Sequence, residues 1–536
     1  MDRKAIIAIV LSAIFLFAYP YIIKRIYPPQ LQPVETTAVD KGRVEKAPSG
    51  VVTVPDSGVA AEREKISARE ELTVVETPLY RAVLTNIGGA IKKWELKKYR
   101  VSMEEGSPHV NLVGTLNGES TFRTRLITGS SSETVVFKPA PNKRVVVSKG
   151  ETPEVVFRGV TSNGLSIEKR YIFNGEDYDV GTELRIKNLG KKPVDGFVET
   201  DLAAWYKAKK KKSKKSYFHT GPLVRSDKTL LRIKKKEPRK SGSGNILWVG
   251  IENKYFLTAL VPATDIPTNW SGELVSQSLS RARSQFAIKL SPGDTAVYKY
   301  KSFMGPKKYD LLLKEKKGLV ESIEFGFFAP MAKPMLVVLN FFQRYVVNYG
   351  LAVILLTVLI KIIFYPLTKH SLTSMQGMKK IQPQLVAIKE RYKNDKEKLN
   401  KEIMGLYKKH KINPVSGCLP MILQIPVFIA LYEVLYVAIE LRHAPLFLWI
   451  TDLSAKDPYY VTPILMGASM FVQQKMSPTS PDPTQAKMML FLPIIFTVMF
   501  LNFPSGLVIY WLVNNLLSIA QQYHINLGQK KAAVKV

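Results

Sequence analysis

Between residues 349 and 523 the chain repeats one pattern five times: a long apolar run closed by polar or basic residues. The runs cover about 349–367, 419–439, 459–475, 488–503 and 506–523. About 20 apolar residues in a helix suffice to cross the hydrocarbon of a bilayer, and lipid tolerates no unpaired backbone. Five membrane-spanning helices are therefore expected here. A sixth run, residues 5–23, is framed by Arg3-Lys4 and Lys24-Arg25. It continues through Tyr19-Pro20-Tyr21 without a small-residue cleavage site, so it reads as an uncleaved signal anchor. Two of the spans, 459–475 and 488–503, are short for the hydrocarbon, and such mismatch thins the bilayer locally.

The net charge of +33 is concentrated. Residues 205–240 hold fifteen Lys/Arg against two Asp/Glu, and residues 370–418 hold eleven against four. By the positive-inside rule the 370–418 loop and the tail with Lys530, Lys531 and Lys535 are cytoplasmic. Six spans then place both termini inside and the long segment between the first two spans outside. Nucleic acid, an anionic lipid surface and the ribosome are all partners that such a charge permits.

Residues 28–68 form a Pro-, Glu- and Lys-rich linker. From about 69 to 306 short β-rich runs alternate with Gly, Pro, Asn and Ser, among them 72–75, 81–84, 134–137, 145–147, 167–173 and 297–300. This spacing predicts a β-sandwich. Within it, seven of the nine residues 207–215 are lysine. A solvated loop and a contact with anionic headgroups both fit that run. Residues 318–345 mix aromatic, apolar and charged side chains with Pro330 and Pro334, and predict an amphipathic helix in the interface. In the 370–418 loop, Leu385, Ile388 and Tyr392, then Leu399, Ile403, Leu406 and Tyr407, recur at helical spacing around Asn394-Asp395. Two antiparallel helices forming a hairpin are expected. The five-span core takes in residues 346–525, and 526–536 form a basic tail.

No soluble-enzyme motif is visible. One cysteine, Cys418, and six scattered histidines offer no zinc site or disulfide, and there is no phosphate loop or nucleophile elbow. The chemistry instead concentrates on Lys361, about six residues from the cytoplasmic end of its span and so about 9 Å deep. A cation inside a membrane faces a wet cavity or a counter-charge, or snorkels to the interface. Gln424 and Ser518 lie at a similar depth on their own spans, Asn514 is one turn above Ser518, and Thr357 is one turn above Lys361. Together they describe a polar layer confined to the inner leaflet, which favours a wet groove. Glu433 lies roughly 12 Å further out, near the outer mouth.

The strings Phe-Tyr-Pro-Leu-Thr (364–368), Asn-Pro-Val-Ser-Gly-Cys-Leu-Pro (413–420), Gln-Ile-Pro-Val-Phe (424–428), Glu-Leu-Arg-His-Ala-Pro (440–445), Asp-Pro-Tyr-Tyr (457–460), Gln-Lys-Met-Ser-Pro (474–478) and Phe-Pro-Ser-Gly-Leu (503–507) resemble the bacterial YidC-type membrane insertases of the YidC/Oxa/Alb family. Thr-Asn-Ile-Gly-Gly-Ala-Ile (85–91) and the layout of the sandwich resemble the Gram-negative version. The resemblance implies a non-enzymatic insertase and chaperone of the inner membrane, needing no cofactor or metal. Its implied partners are nascent membrane proteins, the Sec translocon, the ribosome and signal recognition machinery, and anionic lipids, but not DNA. It implies a groove open to cytoplasm and lipid, in which a basic residue, usually arginine, attracts acidic substrate tails. Lys361 stands at the arginine position, which keeps the charge and loses the bidentate fork. Phe428, Met466, Tyr510 and Trp511 match the substrate-contacting side. Trp511 stands where relatives often have tyrosine, and Glu433 where an aromatic is common. The rival reading is a secondary transporter or channel with Lys361 as ion site. Against it, the two halves show no internal repeat.

Overall fold

A computed structural model of the chain describes residues 69–114, 119–206, 218–263, 267–315, 317–410, 419–476 and 483–534. The expected anchor and linker, the 207–215 lysine run and Cys418 lie outside them.

Among the described residues, nineteen strands from Leu72 to Pro306 form sheets of five, eight and six strands. Alternation of side chains sets their faces. The strand Leu165–Phe173 buries Leu165, Ile167, Lys169, Tyr171 and Phe173 and turns the residues between them outward. The long antiparallel pair Asp179–Asn188 with Thr295–Pro306 continues the same eight-stranded sheet. The inner faces meet in one apolar core that includes Trp248, Phe303 and a stacked Tyr80–Trp94 pair at 3.9 Å. Lys169 is an exception within that core. Its Nζ donates to Phe122 O and, at 2.9 Å, to Thr124 Oγ1, and burial pushes its amine well below the ordinary lysine range. The strand expected over 134–137 is instead Ser131–Thr134, with only an isolated bridge from Val136 to Ile87. Pro139 and Pro141 lie just beyond and supply no donors to prolong the ladder.

The last strand leads into a short helix, α1 (Tyr309–Lys314), and a 3₁₀ turn at Leu319–Ser322. The single amphipathic helix expected over 318–345 is thus divided. Only α2 (Ala329–Val346) is α-helical, and it begins after Gly326, whose φ is 62°. That left-handed residue begins the turn into α2, its carbonyl accepting from Ala329 N, and Pro330 lies in the first turn of α2. Between α2 and α3 (Tyr349–Arg391) the chain turns on Val347, at φ 55°. The Asn348 side chain then caps α3 by accepting from Leu351 N and donates to Leu446 O.

α3 is 43 residues long and runs unbroken past Pro366 and Pro383. The span expected at 349–367 and the first helix expected in the 370–418 hairpin are one rod. Thr368 and Thr373 hydroxyls donate back to Phe364 O and Lys369 O along this stretch. After a turn at 392–395, α4 (Lys396–Lys409) starts on Asp395, whose carboxylate accepts from Lys398 N. The remaining helices are α5 (Leu419–Val437), α6 (Val461–Met476), α7 (Pro483–Phe500) and α8 (Ser505–Val534). α8 absorbs most of the expected tail, because its Gln-Lys-Lys-Ala-Ala end is made of good helix formers.

By length and composition alone, α3 is the one described helix long and apolar enough to cross a membrane, with shorter apolar stretches at Gln424–Val437 and Met489–Phe500. Large apolar side chains nonetheless face outward on several helices. Leu490, Phe491, Ile494, Ile495 and Val498 of α7, Ile464 and Leu465 of α6, and Ile362 and Ile363 of α3 are all exposed. Contiguous outward apolar surface of this kind marks a protein whose surroundings are themselves apolar.

Candidate functional site

α3, α5 and α8 bring four of the expected polar residues together. Lys361 Nζ donates to Ser518 Oγ at 2.6 Å. The Ser518 hydroxyl donates in turn to Asn514 O at 2.8 Å, one turn back on α8. Asn514 Oδ1 accepts from Gln424 Nε2 at 2.9 Å. The result is a continuous relay Lys361–Ser518–Asn514–Gln424 across three helices. Each member except Lys361 is neutral, so the lysine has polar partners but no counter-ion: no ion pair forms to it among the described residues. Its neighbours Ile362 and Ile363 are exposed, so the cation sits at the rim of an outward apolar face. Thr357 does not join the relay. Its hydroxyl donates to Val353 O on its own helix and is fully buried, which makes it a packing residue.

A second polar strand of contacts was not expected from the sequence. Asn515 Nδ2 donates to Ser469 Oγ at 3.0 Å, and Gln522 Nε2 donates to Met476 O at 2.9 Å, tying α8 to α6. Gln376 of α3 donates to Asn526 of α8. Spacing holds the only sequence signal: Asn515, Gln522 and Asn526 recur at seven and four along one face of α8.

One turn from the relay the lining becomes aromatic. Phe428, four residues on from Gln424, stands edge-on to Trp511 at 4.6 Å. Trp511 also meets Phe500 at 5.0 Å and Phe496 at 5.8 Å. Tyr432 and Phe503 continue the cluster, at 6.1 Å from each other. Tyr510 is fully buried, 6.5 Å from Phe428. Met466 is fully buried on α6 and its carbonyl accepts from the Ser469 hydroxyl, so its side chain presents no open surface. Glu433, the residue after Tyr432 on α5, lies beside Gly326 and away from the relay.

Two family models account for almost all of this architecture. One described as YidC periplasmic domain matches residues 72–338, and one described as 60Kd inner membrane protein matches residues 341–532. The membrane protein insertase YidC of Syntrophus aciditrophicus (strain SB) is 43% identical over 98% of this chain and 99% of its own length. The chain belongs to the YidC family of membrane protein insertases. That of Geobacter sulfurreducens is 41% identical over the whole of both chains. A crystal structure of an active YidC insertase matches 85% of this chain and 95% of its own at 21% identity and a TM-score of 0.38.

YidC membership makes this an inner-membrane protein whose β-rich part is the periplasmic domain. The boundary between the two YidC models falls inside α2, so one helix belongs to both parts. The relay, the α6–α8 contacts and the aromatic cluster all lie in the part matched by the 60Kd inner membrane protein model.

Proposed function

We propose that this chain inserts nascent membrane proteins through a half-membrane groove centred on Lys361. In this reading the chain spans the inner membrane six times. Both termini, the lower half of α3 and α4 are cytoplasmic, with the helical hairpin of α3 and α4 projecting from the groove. Lys361 attracts the acidic tail of a substrate, the neutral relay through Ser518, Asn514 and Gln424 keeps that cation wet, and the substrate's apolar segment leaves along the outward faces of α3, α6 and α7. The Sec translocon, the ribosome and signal recognition machinery act as partners, the latter two through the basic hairpin and the end of α8. Anionic lipids meet the basic surfaces.

The relay carries this reading. A lysine whose partners are all neutral retains its field for an incoming carboxylate, which a salt-bridged lysine would not. The aromatic cluster around Trp511 supports a groove closed on the periplasmic side and disfavours a through-channel. α6, at 16 residues, spans about 24 Å against roughly 30 Å of hydrocarbon, which supports local thinning.

Insertion of a translocon-independent substrate with an acidic tail tests the reading. Lys361→Met is expected to reduce it about fivefold, the equivalent of ~1 kcal/mol, and Lys361→Arg to leave it intact. Equal insertion by Lys361→Met and the native chain sinks the proposal.

A further inference from the structure

One guanidinium at the junction of sandwich and helices lacks a counter-charge. Arg442 follows the 3₁₀ turn Ile439–Leu441 just after α5. Its Nη2 donates to the carbonyls of Arg100 at 2.6 Å and Val101 at 3.1 Å. It lies 5.7 Å from the ring centroid of Tyr255 and 5.8 Å from that of Phe256. Nε and Nη1 form no hydrogen bond, and no carboxylate comes within ion-pair distance, among the described residues. Asp452 acts on it only at longer range, and Asp452 Oδ1 already accepts from His443 N, Ser454 N and Ser454 Oγ.

Arg442 lines a cavity of about 270 Å³, together with Asn111, Trp205, Tyr206, Asn253 and Phe256. Asn111 spends its Oδ1 on Trp94 N at 3.0 Å and Val113 N at 3.2 Å, and its Nδ2 is buried without a partner. A buried amide donor without a partner is unfavourable, so such a group marks a place where a ligand acceptor fits. Asn253 likewise commits its Oδ1, to Tyr255 N and Phe256 N, both at 2.9 Å. The cavity therefore offers donors and no carboxylate, and suits an anion with several oxygen acceptors.

Its level in the fold narrows the source. α5 is 19 residues, about 28 Å, so Arg442 lies just past the outer end of that span, among headgroups. Val101 and Met103, 58% and 52% exposed, project from the stretch whose carbonyls Arg442 holds. Exposed apolar side chains beside a cation and aromatic rings are the composition of a membrane interface.

We propose that this cavity binds the phosphate headgroup of an anionic phospholipid from the outer leaflet, with Arg442 and Asn111 Nδ2 as donors. The proposal rests on the span placement given above and is independent of the role of Lys361. Native mass spectrometry of the delipidated full chain, titrated with phosphatidylglycerol, phosphatidylcholine, inorganic phosphate or an acidic peptide, tests it. One phosphatidylglycerol is expected to bind about tenfold more tightly than phosphatidylcholine. Arg442→Gln and Asn111→Asp should each abolish that preference, and Lys361→Met should preserve it. Asn111→Asp keeps the oxygen that Trp94 N and Val113 N need, so it carries the test if Arg442→Gln does not fold. An unchanged preference in both variants overturns the proposal, as does displacement of the lipid by inorganic phosphate or by the peptide. Impermeant maleimide labelling of Leu448→Cys in a Cys418→Ser chain reads the span placement separately. Labelling only from the cytoplasmic side would overturn that placement and with it the lipid site.

Discussion

Glu252 is the electrostatic centre of the periplasmic domain, and Glu252→Gln should destabilise it substantially. The carboxylate is 1% exposed and receives three positive or proton-bearing partners. Lys307 Nζ lies at 2.9 Å, Arg232 Nε at 2.8 Å and His219 Nδ1 at 3.0 Å. Two of these cations also reach the segment leading to α2. Lys307 donates to Ser322 O at 3.1 Å and Arg232 to Ser322 O at 3.2 Å. Burial alone would raise the Glu252 carboxyl, but Lys307, His219 and Arg232 outweigh it and hold it down at about 2, against an ordinary 4.5. That depression corresponds to about 3 kcal/mol of folded-state stabilisation at neutral pH. The figure agrees with the roughly 3–5 kcal/mol lost when one member of a buried charge cluster is removed. For a domain of this size it shifts the unfolding midpoint by about 6–12 °C. Because the folded value is depressed, the contribution is complete above about pH 4.5 and is lost as pH falls toward 2. Calorimetry of the full chain in detergent, following the transition of the β-rich part, should show the native chain losing this increment over that window and Glu252→Gln lacking it. A midpoint shift below about 2 °C, or parallel pH profiles for the two proteins, would refute the reasoning.

Other perturbations separate packing from polar function. Ser518→Ala removes the partner of Lys361 Nζ and should lower insertion about twofold to threefold without changing the amount of folded protein, as measured by insertion assay and size exclusion. Trp511→Ala empties the space shared by Phe428, Phe496 and Phe500 and should cost about 3–5 kcal/mol, read as a lowered thermal midpoint in detergent. Val347→Gly should raise stability by about 1 kcal/mol, because a β-branched residue at φ 55° is strained and its side chain is 79% exposed; an unchanged or lower midpoint contradicts this. Gly467→Val would drive a side chain into Thr497 and should loosen α6 from α7, seen as faster proteolysis between them.

Much of this was legible in the sequence because bilayer and sheet impose simple periods. Apolar runs located α3 and α5 to α8, and β-rich runs between turn residues located most of the strands that they named. The motifs identified the family, and the spacing that singled out Lys361, Gln424 and Ser518 picked residues that one hydrogen-bonded relay connects. Other features depend on partners distant in sequence. Nothing local tells that Thr357 bonds its own helix, that Met466 is sealed, or that α3 runs unbroken through Pro366 and Pro383. The Glu252 cluster joins residues 219, 232, 252 and 307, which lie in four separate segments. The Arg442 contact with Arg100 joins positions 342 apart.

The order of side chains along α5 and α8 bears on how one lysine could serve insertion without leakage. Along α5 the lining passes from Gln424 to Phe428 to Tyr432, one turn at a time. Along α8 it passes in the opposite chain direction from Ser518 through Asn514 to Trp511. The two helices therefore change from amide and hydroxyl to aromatic at the same level, where Phe428 meets Trp511 at 4.6 Å. In the proposed mechanism a hydrated substrate tail drawn to Lys361 meets the polar relay up to that level and the packed aromatic rings beyond it. On that reading the aromatic wall denies water and ions a continuous polar path, and the exposed apolar faces of α3 and α7 are the way out to lipid. In the proposed mechanism a substrate thus exits sideways, so widening the wall, as in Trp511→Ala, should raise ion permeability in proteoliposomes before it changes the attraction exerted by Lys361.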